Sequence, residues 1–154
     1  MLARSAREPS AYCCQRCARA WALWAPLIAG KKVLTVDAAR CIAFMGPENA
    51  VYATPQMVSD VEYAIREFLL GYLDPGEDTV GTHVSIDHLA ATPVGMRVTI
   101  EYTVTAVEGR SVRSAFSVRD GLEECGRGVH VRFVVDVEKT RQRLAKKRAQ
   151  AAKG

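Results

Sequence analysis

Hydrophobic positions follow two different periods along the middle of the chain. Met57, Val61, Ala64, Ile65, Phe68 and Tyr72 recur every three or four residues, the spacing of one helix face. Thr54-Pro55 supplies a start, since threonine caps helices well and proline suits the first helical position. Gly71 and then Asp74-Pro75-Gly76 supply a stop. The predicted helix has about 17 residues and a length of roughly 25 Å, enough to cross a small domain.

Beyond the helix the period becomes two. Val80, Thr82, Val84, Ile86 and His88 alternate with Gly81, His83, Ser85 and Asp87, which predicts a strand whose apolar face ends on His88. Residues 92–95 read as a turn, and Val98, Ile100, Tyr102 and Val104 share one face of a strand over 96–107. Glu108-Gly109-Arg110 reads as a hairpin turn between that strand and another over 111–118. Asp120-Gly121 turns the chain again before a last strand over 129–137. Upstream, 33–39 reads as a short strand, 46–50 as a loop and 51–53 as a short extended piece. One long helix followed by an antiparallel meander predicts an α+β fold. Residues 138–150 form a polar, basic helix candidate without a wide apolar face.

Charge divides the chain in the same places. The 154 residues, 49% apolar and 25% charged, suit one soluble domain. The net charge of +4 is unevenly spread: residues 1–32 carry +5, residues 138–154 carry +6, and residues 33–137 carry −7. A nucleic-acid-binding domain shows its basic residues on the folded body. Here they sit at the ends, so neither a nucleic-acid partner nor a membrane is expected. We read residues 1–26 as an N-terminal leader, 27–137 as the folded domain and 138–154 as a basic tail. The stretch from Ala20 to Ala29 is apolar but broken by Pro26, and no apolar run reaches transmembrane length.

Cysteine points to a cytoplasmic protein with reduced thiols. Cys13, Cys14 and Cys17 form one CxxC-like cluster, while Cys41 and Cys125 stand alone, and five is an odd count for a disulfide framework. A structural zinc site normally needs four ligands, so no metal is expected. GxGxxG, Walker and G-x-S-x-G sequences are absent, which argues against nucleotide-binding and α/β-hydrolase enzymes.

Four residues stand out chemically, and each has a plainer reading. His88 closes an apolar strand face, as a core histidine held by a backbone carbonyl would. Glu62 lies beside the helix stripe near Val58, Ile65 and Leu69, which suits a desolvated general base. It also stands four residues before Arg66, as a surface ion pair would. Thr54 can cap the helix, or place a nucleophile or oxyanion at its N-terminus. Gly81 can let a ligand approach its N–H, or only relax the strand.

In order and spacing, VYATPQMVSDVEYAIREFL, TVGTHVSIDHLAATPVGMRVTIEYTV, GR and GVHVRFVV resemble the fluoroacetyl-CoA thioesterase family of hotdog proteins over about residues 27 to 137. The resemblance implies one long central helix wrapped by a curved antiparallel sheet. It implies a catalytic set of Thr54, Glu62 and His88, with Gly81 as an oxyanion or substrate contact and Arg132 as a basic position near the acyl-CoA. Fluoroacetate-specific members carry an aromatic lid before the ATP element. Here that region reads FMGPENAVY, with Phe44 and Tyr52 and no lid pair.

The expected activity is therefore hydrolysis of a short or medium acyl-CoA to the free acid and coenzyme A, without a cofactor. Glu62 would activate water or attack to form an anhydride. A homodimer or dimer of dimers is expected, because hotdog sheets pair edge to edge. The rival readings are a noncatalytic hotdog binding acyl-CoA or another apolar ligand, a hotdog hydratase or dehydratase, and a nucleic-acid-associated protein acting through its tails.

Overall fold

The computed structural model describes residues 28–153. The Cys13–Cys17 cluster and both tryptophans of the leader lie outside the described residues. Within them, strand β1 (Ala29–Thr35) leads to a two-residue ladder of β2 (Cys41–Ile42) and β3 (Val51–Tyr52). Helix α1 (Thr54–Leu70) follows, then β4 (Glu77–His88), β5 (Arg97–Glu108), β6 (Ser111–Arg119), β7 (Glu124–Asp136) and α2 (Val137–Ala151). The five long strands form one antiparallel sheet in the order β1-β5-β6-β7-β4, and α1 packs on its inner face.

The helix stripe is the core. Met57, Val61, Ala64, Ile65 and Leu69 are all buried, packed with Val98, Ile100, Tyr102 and Val104 of β5 and Val112, Phe116 and Val118 of β6. The one misplaced position is Tyr72, which is 47% exposed because the helix ends at Leu70. The 3.6-residue face is completed by Leu69 instead.

Three sequence expectations change. The first strand runs earlier than 33–39, because Asp37 caps a 3-10 turn over Ala38–Arg40 through the Arg40 N–H, at 3.1 Å. The last strand begins at Glu124 rather than 129, since Gly126 and Gly128 pair fully with both neighbouring strands despite their weak strand preference. Thr54 does not cap α1: the cap is Ala53, in extended conformation, with no side-chain hydrogen bond, and Thr54 is already helical.

The fourth difference positions the site. β4 pairs residue for residue with β7 except at Thr82, an extra residue between the Gly81–Arg132 and His83–Val131 pairs. Such a bulge reverses the in–out phase of a strand. Simple alternation puts Gly81 and His88 on opposite faces. With the bulge, Gly81, Val84, Ile86 and His88 all share the inner face, while Val80 falls outside it and is 42% exposed.

The basic tail is helical as its pattern predicts. Asp136 caps α2 by accepting from the Lys139 N–H at 2.9 Å, and none of the helix is buried. Among the described residues no helix is long and apolar enough to cross a membrane.

Candidate active site

Two polar groups line the inner face between α1 and β4. At the start of α1, Thr54 Oγ1 lies 2.7 Å from His88 Nδ1. The hydroxyl for which the sequence offered a cap or a catalytic role thus meets the histidine. His88 meets a side chain rather than a backbone carbonyl, and its Nε2 is buried with no hydrogen-bond partner among the described residues.

The second group forms two turns along the helix. Glu62 Oε1 accepts from Arg132 Nη1 at 3.1 Å. Arg66, the surface partner considered for Glu62, instead grips Asp78, with Nε 2.9 Å from Oδ1. Glu62 is therefore left to Arg132 and to what faces it. Its side chain is 42% exposed, whereas that of Arg132 is 2% exposed.

Arg132 is fixed on every side. Its Nε donates to Thr79 Oγ1 at 2.8 Å and its Nη2 to the Thr79 carbonyl at 2.8 Å. Burial pushes the guanidinium below its usual pKa, and the hydrogen bond and charge of Glu62 work against that shift. A buried charge held so tightly makes Glu62 hard to remove without leaving an unpaired cation.

Gly81 shapes the space beneath the carboxylate. A Cβ there would stand 2.7 Å from Glu62 Oε1 and 3.3 Å from His130 Nε2. Glycine is required at this point for side-chain approach, a reason separate from any role of its N–H. His130 itself was not singled out from sequence. It stands two residues before Arg132 on β7 and is only 2% exposed, and the alternation of that strand was the available signal.

A third network, also unread in sequence, anchors the entrance to the helix. Asp60 Oδ2 accepts from Tyr52 OH at 2.7 Å and from Arg40 Nε at 3.0 Å. Tyr52 is 1% exposed, so of the two aromatics before the helix it belongs to the core. Phe44, by contrast, is 88% exposed.

Among the described residues no hydrogen bond joins Thr54–His88 to Glu62–Arg132. The described residues also contain no cluster of three or more His, Cys, Asp or Glu able to hold a metal ion.

The stretch of chain that carries these groups is matched elsewhere. Residues 36–138 match the model of the fluoroacetyl-CoA-specific thioesterase family. The chain belongs to that family. A fluoroacetyl-CoA thioesterase of Streptantibioticus cattleyicolor is 39% identical over 97 residues, 63% of this chain and 70% of the relative. A solved fluoroacetyl-CoA thioesterase superposes with a TM-score of 0.72 at 32% identity, covering 78% of this chain and 94% of that one. A thioesterase superfamily member from Thermus thermophilus gives a TM-score of 0.72 at 29% identity over 80% and 94% of the two chains. The fold is the hotdog, and the protein is an acyl-CoA thioesterase, a thioester hydrolase, as the sequence resemblance implied.

Proposed function

We propose that this thioesterase hydrolyses short or medium acyl-CoA in the cytoplasm, with Glu62 and His88 as catalytic residues and Thr54 holding His88. The observation that carries the reading is that the bulge at Thr82 turns Gly81 and His88 to one face, where Glu62 and Thr54 meet them. Glu62 takes a proton from water as its oxygen adds to the thioester carbonyl, or adds directly to give an anhydride that water opens. In both routes the C–S bond breaks and coenzyme A leaves as a thiolate, which takes a proton from His88. A donor such as the Gly81 N–H facing the oxyanion contributes about 3 kcal/mol in comparable sites. Arg132 serves this chemistry by holding Glu62, since its donors are committed inside the protein.

The substrate range follows from the region before the helix. Tyr52 is buried and bonded to Asp60, so among the described residues before the helix Phe44 has no aromatic partner for a lid. Acetyl-CoA and longer acyl chains should therefore turn over at rates comparable with fluoroacetyl-CoA. Thiol release followed with a dye tests both parts. Glu62→Gln and His88→Ala should each lower kcat by about a hundredfold or more with the fold intact, and their combination should be little worse. Near-normal turnover by Glu62→Gln would take the base or nucleophile role away from Glu62, and no thiol release by the wild type would move the noncatalytic ligand-binding reading ahead. Crotonase-type water addition with no thiol release would favour the hydratase.

We also place a homodimer, or dimer of dimers, at the β4 edge. Among the described residues β4 ends the sheet with one hydrogen-bonding side free, and Val80 and Val84 are 42% and 38% exposed there. Such pairing would set two sites beside each other. A monomeric mass by light scattering at micromolar concentration counts against it.

A further inference from the structure

The mechanism above leaves one buried histidine without a task. His130 points inward from β7, and its Nδ1 is buried with no hydrogen-bond partner among the described residues. The Oγ of Ser114 is in the same state. Ser114 is 1% exposed and stands directly opposite His130 in the β6–β7 register, so both side chains rise from the same face with Cβ atoms about 5 Å apart. Ser114 Oγ and His130 Nδ1 make no hydrogen bond to each other as placed, and a turn of the Ser114 rotamer or a single buried water between these register partners satisfies both orphaned atoms at once. The hydroxyl is the donor that a bare imidazole nitrogen accepts, and the neutral ring then carries its proton on Nε2. At that end, His130 Nε2 and Glu62 Oε1 face the same point above Gly81, 3.3 and 2.7 Å from it.

We propose that His130 is a positioning residue for Glu62: the Ser114 hydroxyl donates toward Nδ1, and Nε2–H is directed at the Glu62 carboxylate. Arg132 alone holds Oε1 through one nitrogen and leaves the carboxylate plane free to turn about it. A second donor from the same strand fixes that plane and leaves Oε2 for the reacting water or acyl carbon. The ring stays neutral because burial and then the Arg132 charge press its pKa down to about 4, with Glu62 of α1 opposing and His83 of β4 assisting. The inference rests on the role given to Glu62.

The test combines spectroscopy with three substitutions. Nitrogen-15 NMR of the wild-type protein should show His130 as the neutral Nε2–H tautomer at pH 7, assigned among the three histidines by its loss in His130→Gln. His130→Leu should lower kcat about tenfold with KM within about twofold, while His130→Gln, which returns an N–H at the Nε2 position, should recover most of it. Ser114→Ala should lower kcat about threefold and mix the tautomers. An Nδ1–H tautomer in the wild type, or Gln as impaired as Leu, overturns the proposal. Should Leu fail to fold, the tautomer and the Gln and Ser114→Ala rates still decide it. Glu62→Gln is run in parallel: full activity there sinks the parent reading, whereas its loss beside a normal His130→Leu sinks this one alone.

Discussion

The inner face of the five-stranded sheet presents α1 with two unlike surfaces. Across β5 and β6 it is hydrocarbon: Val98, Ile100, Tyr102 and Val104, then Val112, Phe116 and Val118, broken only by Ser114. Across β7 and β4 it is mixed, with glycine and polar or ionisable groups set among Val84, Ile86 and Val134: Gly126, Gly128, His130 and Arg132, then Thr79, Gly81 and His88. The helix matches both, turning Val61 and Ile65 to the first surface and Thr54 and Glu62 to the second. Burial of a branched or aromatic side chain contributes on the order of 1.5–3 kcal/mol, so stability resides mainly in the first half. The second half gives up some of that gain for space and for charges held in low dielectric, where a carboxylate can be oriented.

The comparison can be broken most forcefully with acid. His130 is buried as a neutral ring with its pKa pressed from 6.5 to about 4. Below the unfolded value the unfolded chain binds a proton that the folded chain does not, so stability falls with falling pH until about 4. Between pH 7 and pH 5 this one residue should remove about 2 kcal/mol. Asp78 is shifted down mainly by its hydrogen bond to Arg66, so its contribution is lost only at lower pH and stays outside this window. Urea unfolding at the two pH values measures the effect. His130→Gln should flatten the difference. Ile100→Val, in the hydrocarbon half, should lower stability by about 1 kcal/mol equally at both pH values. An unchanged pH slope in His130→Gln would place the acid sensitivity elsewhere and dissolve the distinction.

The two halves were also unequally legible. Period-two alternation in β5 and period-3.6 spacing in α1 name their own buried residues, because apolar burial is what generates those periods. In β4 the same alternation misassigns Val80 and separates Gly81 from His88, because one extra residue at Thr82 is invisible to a fixed period. Glu62, His88 and Thr54 stood out chemically, each with a plainer reading, and it was the family resemblance that joined them as a set. Arg132 was named only as a basic position near the acyl-CoA and His130 not at all, because the place of both beside Glu62 and Gly81 is set by pairing of strands some 50 residues apart in sequence. Thr54 looked like a cap because a threonine before proline usually is one. Only the folded arrangement of β4 shows that the hydroxyl goes to His88 instead.

The smaller and sharper test is a single methyl group at Gly81. Its added Cβ would meet the Glu62 carboxylate at 2.7 Å and His130 Nε2 at 3.3 Å, and the nearest atoms are all side-chain atoms. The strand conformation there carries no positive φ, so alanine fits the backbone and should change stability by less than about 1 kcal/mol. The carboxylate must move, however, and displacement from its place over β4 should lower kcat/KM about tenfold, or roughly 1.4 kcal/mol of barrier. Gly30 offers the mirror experiment in the hydrocarbon half. There a Cβ would lie 2.6 Å from Tyr102 Cε2 and 2.9 Å from Phe68 Cδ2, rings already packed against each other. Gly30→Ala should therefore lower the unfolding free energy while the folded fraction keeps its kcat/KM. Thermal melts and thiol-release kinetics on both variants separate the two surfaces. If Gly81→Ala melts early but turns over normally, the glycine serves packing, and the space above it is not where Glu62 does its work.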